Sequence, residues 1–461
     1  MSFSNKYNFN IYQVFYSITL IFCLISLDFS NNLLKDFYLY SSLMISCSIF
    51  LYFVFWIINK NKINVTLNFV FIIAIVSRLI VLPMNPTLSD DAYRFLWDGR
   101  LIVNNVNPYK LVPSDSGLKI FQDELYNHQA YPNFHTVYPP LTQFFFAISY
   151  YIGKLFSSNL LSGFFVLKII FFIFELLSIV LLYKIINKIK KPNNLLILYA
   201  WNPLVIIEIC GQGHTDGLWV FSMLAFLYYF SKNKRALSAL FLSFGVSFRI
   251  LPIILFPLFI KFNKNKKLLV SIVLIVSTLF LCIPLLELES LINTVNVLKK
   301  FTNYFEFNGG VYYLIKFCLD LFHIKPSNYF TGLTLSILTI VITLLITFKK
   351  NIYKLDNDFL IDLINRILII LTIQISFSAK VHVWYYITPL CISILSNKIN
   401  FRNAWLWMCC IAPLTYYKNF NIFELNQLIF IVIEWLIFFY LIFNKPIYRV
   451  VTNLFKIQLN S

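Results

Sequence analysis

Asp90 and Asp91 stand side by side just past a long apolar run, at the head of Ser89-Asp90-Asp91-Ala92-Tyr93-Arg94-Phe95-Leu96-Trp97-Asp98. The pattern reads as a helix with Ser89 as N-cap. Two adjacent carboxylates beside a tryptophan suit binding and deprotonating a sugar hydroxyl, one of them serving as general base. Their mutual repulsion raises one pKa. The bland alternative is a pair that complements the helix dipole, with Arg94 bridging Asp91 and Asp98 on the surface. A second group is Trp201-Asn202-Pro203, Glu208 and Gly211-Gln212-Gly213-His214-Thr215-Asp216-Gly217. Three of the chain's 11 glycines fall in those last seven residues, which marks a tight turn. His214 and Asp216 either cap a hairpin or line a site, and two ligands are too few for a metal. Glu208, inside an apolar run, needs a partner or a cavity.

Arg249 also sits inside an apolar run, three residues before Pro252. Its planar fork suits a phosphate or a carboxylate, and the structural alternative is an ion pair with Glu208 or Glu175. Lys380-Val381-His382-Val383-Trp384-Tyr385-Tyr386 opens a late apolar run. Lys380 there is either an interfacial cation beside an aromatic belt or part of a site. By the topology below, all four segments fall on one face.

The elements that must carry these residues are helices in lipid. Of 461 residues, 59% are hydrophobic and 13% charged, and mean hydropathy is +0.74. A soluble domain is roughly half apolar and a quarter charged, so a soluble enzyme is excluded. Aromatic content of 19% excludes a disordered chain. Apolar runs at about 11–29, 36–58, 65–84, 137–156, 163–186, 193–211, 214–231, 236–260, 267–285, 328–348, 358–377, 382–397, 403–417 and 421–443 are long enough, or nearly so, to span a bilayer at roughly 20 residues each. The first run lacks a small-residue cleavage site and is expected to be a retained helix. The expectation is one all-α polytopic membrane domain over 1–461.

The net charge is +18, from 38 Lys and Arg against 20 Asp and Glu. Basic clusters at 60–62, 184–191, 232–235, 261–267, 349–354 and 445–449 lie between apolar runs, as cytoplasmic loop ends do. They argue for topology and against a nucleic-acid partner. Placing 60–62 inside puts 85–136 outside, with a second outer loop at 286–327 that holds an amphipathic helix near 311–322. Two places are strained. One run within 137–186 is expected to be broken, re-entrant or interfacial. The run 236–260, with Arg249, Pro252 and Pro257, reads as two short helices. Residues 83–140 hold seven of the 16 prolines and six of the 20 acidic residues, and their aromatic content argues for a structured loop. The eight cysteines show no metal or disulfide spacing.

Together these segments resemble the bacterial polytopic glycosyltransferases of the GT-C superfamily, in particular mannosyltransferase-like members that use polyprenyl-phosphate sugars. The likeness rests on Ser89 through Arg100, Asn107-Pro108-Tyr109 and Val137-Tyr138-Pro139-Pro140. Trp201-Asn202-Pro203, the Gly213–Asp216 turn, Arg249 with Pro252, and His382 with Trp384-Tyr385 extend it. The chain departs from the family where Asn105 replaces Gly, Arg249 replaces Lys and Val383 replaces Pro. Asn105 tolerates the same left-handed geometry.

The resemblance implies a GT-C-like bundle of about 12–14 transmembrane helices. It implies transfer of a hexose, mannose in the first instance, from a polyprenyl-phosphate donor to a glycan or lipid-linked acceptor hydroxyl, with inversion. Asp90 or Asp91 would be the base. Arg94, Trp97, Tyr138, His214, Asp216, Arg249, Lys380, His382 and Tyr385 would form the substrate and phosphate pocket. The departing group is an anion, so fixed cations near it lower the barrier. The resemblance fixes no cofactor, and it leaves room for a divalent cation. The expected location is the cytoplasmic membrane, with the site facing the outer side and building envelope glycan. The rivals are a transporter, which would show inverted repeats, and a lipid or glycolipid flippase.

Overall fold

The computed structural model describes residues 11–30, 32–263, 266–303, 305–324, 327–350, 356–419 and 424–444. The basic cluster at 445–449, and parts of those at 261–267 and 349–354, lie outside the described residues. Among these residues every regular element is a helix, and the extended pairing amounts to isolated bridges of Phe307 and Asn308 with Lys380. The protein is an all-α polytopic membrane protein.

Among the described residues, five helices are long and apolar enough to cross a membrane: Ile11–Asp28, Phe37–Lys60, Ser162–Lys188, Asn328–Phe348 and Asp358–Ser376. The first shows why the composition is so apolar. Tyr16, Leu20, Cys23, Leu24 and Leu27 are buried along one stripe, while Phe15, Ile18, Phe22 and Ile25 point outward. A helix apolar all round belongs in lipid.

Among the described residues fewer than 12–14 helices have full spanning length: some, such as Leu67–Val81 and Lys267–Leu281, are shorter apolar helices, and other apolar runs are broken. The run 193–211 divides into Asn193–Ala200 and Pro203–Gly211, bent by 51°. Pro203 cannot donate to the helix before it, and the Asn202 side chain accepts from Leu204 N–H to start the new turn. The second piece ends in a π-turn over Ile207–Gly211. The run 236–260 divides as expected. Arg235–Phe248 ends, Arg249 is extended at φ −158°, and Leu251–Leu255 and Phe256–Lys261 follow. The strain expected in 137–186 is not met by a break: Pro140–Phe156 and Ser162–Lys188 are continuous helices.

The loop between Leu67–Val81 and Pro140–Phe156 is ordered around the helix Asp91–Val103. That helix packs on Pro140–Phe156, and Gly99 is what lets them meet. A Cβ at Gly99 would stand 2.4 Å from the Phe146 carbonyl oxygen. Asn105 ends the segment at φ 59°. The second loop holds Leu288–Asn303 and Gly310–Leu321, which places the expected amphipathic helix near 311–322.

Deep in the bundle, Arg78 and Glu175 pair at 3.0 Å with both side chains fully buried. Arg78 also donates to the Ala200 carbonyl, and Tyr199 donates to Glu175. Lys168 donates to the carbonyl oxygens of Met84 at 2.6 Å and Gly211 at 3.4 Å. These contacts tie the long Ser162–Lys188 helix to the two turns that carry the Asp pair and His214.

Candidate active site

The four segments singled out above meet. Gln212 draws the first two together: its Oε1 accepts from Thr87 N–H at 2.9 Å and Leu88 N–H at 3.0 Å, just before the Asp pair. Ser89 is not the N-cap. Asp90 holds that position without a side-chain cap bond, and the Ser89 hydroxyl lies 3.1 Å from His214 Nε2. The turn needs Gly213, whose φ is +70°. A Cβ there would lie 2.5 Å from the Phe164 ring.

The two carboxylates differ. Asp90 Oδ2 accepts from Ala130 N–H at 2.8 Å, which pins the far side of the loop. Burial, then the charge of Asp91, raises its pKa above the usual carboxylate range. Asp91 is 30% exposed, and its Oδ2 lies 4.0 Å from His214 Nε2. Tyr138 faces Asp91, and burial first, with Asp91 second, pushes its phenol well above the ordinary tyrosine value. Tyr109 donates to the Tyr138 carbonyl at 2.7 Å, fixing that backbone.

Arg249 pairs with Asp216 rather than with Glu208 or Glu175. The helix break aims its guanidinium over the Tyr385 ring, 3.8 Å from the centroid. Asp216 itself is buried. Lys380 lies 5.3 Å over the Phe305 ring and interacts with both Asp carboxylates. Burial pulls its ammonium below the ordinary lysine value, opposed by Asp91 and Asp90. The backbone of Phe307 exchanges bonds with Ala379 and Val381, at 2.9 and 2.7 Å, so the second loop holds the Lys380 segment in place. Trp384 is sandwiched between two imidazoles, 3.6 Å from His214 and 4.3 Å from His382, both nearly parallel.

Two expected site residues face inward. Arg94 pairs with buried Asp98 at 2.8 Å and donates to the Phe134 carbonyl at 2.9 Å. Gln143 completes the bond set of Asp98 at 2.8 Å. The pair is largely buried, not the surface bridge of the alternative reading. Trp97 is fully buried against Tyr126 and Arg100. Among the described residues, no group of three or more His, Cys, Asp or Glu is placed to hold a metal ion.

Sequence reasoning missed Gln212, Lys168, Arg78 and Tyr416. The cost of a charge at membrane depth, applied above to Arg249 and Glu208, points equally to Arg78 and Lys168. Gln212 lies inside the glycine turn and carries no charge to mark it. Tyr416, which donates to Glu208 at 3.0 Å, has no signal in a chain with 28 tyrosines.

The arrangement places a partly exposed carboxylate, two imidazoles, a guanidinium and an ammonium on one cluster of turns. That set can deprotonate a hydroxyl and receive an anionic leaving group. No curated protein matches the chain. Residues 31–263 match the family described as alpha-(1->6)-mannopyranosyltransferase, N-terminal domain, a region that contains the Asp pair, the glycine turn and Arg249. Since that match spans half of the sequence, the chain belongs to this family and is a membrane-embedded mannosyltransferase of the GT-C type.

Proposed function

We propose that the protein transfers mannose from a polyprenyl-phosphate donor to the hydroxyl of a glycan or lipid-linked acceptor, with inversion, at the outer face of the cytoplasmic membrane. Asp91 is the base. Its side chain is 30% exposed and lies beside His214, whereas Asp90 is committed to Ala130. The acceptor oxygen attacks the anomeric carbon as Asp91 takes its proton. The leaving phosphate is met by Arg249, His382 and Lys380, with Tyr385 holding the Arg249 plane. His214 and Asp216 shape the floor. Arg94, Trp97 and Tyr138 position the loop that carries Asp91. The observation that carries this reading is the meeting of Asp91 with three cationic or imidazole-bearing segments on one half-buried face. The chain's positive surplus between apolar runs supports the orientation. The family match lends no support to a transporter or flippase.

The test is transfer of labelled mannose from purified polyprenyl-phosphate mannose by the protein in liposomes. The wild type is expected to release label from the lipid, and Asp91→Asn to lower the rate by about 10²–10⁴-fold with donor binding kept. Asp90→Asn is expected to retain most of it. Wild-type rates in both variants and in the double variant would remove the Asp pair from the mechanism.

A further inference from the structure

Glu208 has no part in the chemistry above, yet it is fully buried in the π-turn immediately behind the Asp pair. Such π-turns often mark functional positions. The extra residue closes the turn so that His214 N–H donates to the Glu208 carbonyl at 2.9 Å. This brings Glu208 Oε2 to 2.9 Å from His214 Nδ1. The contact is short but lies off the ring N–H axis, an ion-pair contact and not an aligned hydrogen bond. Tyr416 donates to Glu208 Oε1 and Oε2 at 3.1 and 3.0 Å. The other ring nitrogen, Nε2, faces Ser89 Oγ at 3.1 Å and Asp91 Oδ2 at 4.0 Å. Trp384 stacks on the ring and blocks its rotation out of this plane.

We propose that Glu208 and His214 form a proton relay behind Asp91, which drains the proton taken from the acceptor. The inference rests on the reading of Asp91 as base. The acceptor O–H bond breaks and its proton moves to Asp91 Oδ2. The acceptor oxygen bonds the anomeric carbon, and the bond to phosphate breaks with its electron pair leaving on phosphate. The proton then passes to the lone pair of His214 Nε2, directly or through the Ser89 hydroxyl. Asp91 is a carboxylate again, and the imidazolium is balanced by Glu208. The proton returns to water by the same route after product leaves. The 4.0 Å gap exceeds a hydrogen bond, and such contacts commonly tighten only with substrate bound. Asp216 and Asp91 also face His214. Arg249 is paired to Asp216, Lys380 acts on the Asp pair, and Tyr40 and Tyr416 face Glu208.

The experiment is the pH profile of single-turnover mannose transfer, with donor binding and melting temperature measured on the same preparations. Glu208→Gln is expected to lower the rate about 10²-fold with donor affinity unchanged. Its acid limb should move to lower pH, because the imidazolium loses its counter-charge. Tyr416→Phe keeps the volume, removes both hydroxyl donations to Glu208 and strengthens that counter-charge. Its acid limb should move to higher pH. A merely structural role for Glu208 lowers the rate equally at every pH and leaves both limbs in place, which overturns the proposal. If Glu208→Gln fails to fold, the direction of the Tyr416→Phe shift decides. An inactive Asp91→Asn beside unshifted limbs in these two variants sinks the relay alone. An active Asp91→Asn sinks the base on which it rests.

Discussion

Removal of the Arg249 guanidinium tests the leaving-group side of the site. Arg249 follows the last residue of Arg235–Phe248 in an extended conformation. It has two jobs that must be separated. Its pairing with Asp216 neutralises a carboxylate that is only 3% exposed. Breaking a buried pair from one side costs about 3–5 kcal/mol. Its side chain is 19% exposed and stacks on Tyr385, and in the proposed reaction its remaining donors meet the departing phosphate. A fixed donor of that kind contributes about 2.7–4 kcal/mol to the transition state, or 10²–10³ in kcat. Arg249→Ala is therefore expected to lose both stability and turnover. Arg249→Ala with Asp216→Asn removes the orphaned charge and should recover much of the melting temperature, while kcat stays about 10²–10³-fold down. Arg249→Lys keeps the charge but loses the fork and planar stacking, and should fall between. The assay is single-turnover release of labelled mannose from polyprenyl-phosphate mannose, alongside donor affinity and thermal melting. A double variant that melts near the wild type and turns over within about threefold of it, under 1 kcal/mol, refutes a phosphate role for Arg249.

Three further outcomes follow from single residues. Gly213→Ala places a side chain at φ +70°, in contact with the Phe164 ring. It should cost about 1–2 kcal/mol of backbone strain plus packing, read as a lower melting temperature with reduced transfer, and an unchanged melt refutes the need for glycine. Asp90 has a folded pKa raised above the ordinary carboxylate value by burial and by Asp91. Its contribution to stability is lost as pH rises from about 3.9 through the raised value. Asp90→Asn can still accept from Ala130, so it should flatten that decline and melt higher than the wild type at neutral pH; a parallel pH profile refutes this. Arg78→Met leaves Glu175 buried and unpaired and should cost about 3–5 kcal/mol, seen as loss of folded protein on mild heating, whereas an unaltered melt means the pair is not needed.

The all-α class was legible because it follows from composition and run length, which depend little on detail. The break at Arg249 was legible for a similar local reason: an arginine and two prolines cannot continue a lipid-buried helix. The 51° bend at Trp201-Asn202-Pro203 carried the same kind of signal in Pro203, yet the apolar residues around it read as one span. The separation of Asp90 from Asp91 was not legible. It depends on Ala130 N–H, 40 residues away in a loop whose path is set by packing. The Ser89 hydroxyl is another case. A serine before a helix ordinarily caps it, but here His214 approaches from a turn 125 residues on and takes the contact. Arg94 and Trp97 looked like site residues through nearness in sequence to the Asp pair. Arg94 is taken up by Asp98 and the Phe134 carbonyl, and Trp97 by packing against Tyr126 and Arg100.

In the proposed reaction a carboxylate base and a departing phosphate share one cleft, an electrostatic conflict because the two anions repel. Screening by water is weak in a half-buried site, so the separation has to be built into the protein. Here it is built from different parts of the chain. Asp91 is backed by His214 and Glu208 from the glycine turn. Arg249 comes from a helix break more than thirty residues on and is held by Asp216 and Tyr385. Lys380 comes from a third segment, pinned by the second loop, and faces both Asp carboxylates. Trp384 stands between His214 and His382 and keeps the two imidazoles apart. Charges fixed in this way need no reorganisation when the leaving group departs, which is where such sites gain most of their rate. It also explains why the chain tolerates a buried Glu208 and Asp216 and a partly buried Arg249 in a protein with only 13% charged residues. In the proposed topology the overall surplus of +18 sets orientation, whereas the proposed site depends on a few opposed charges whose positions are fixed by turns rather than by long helices.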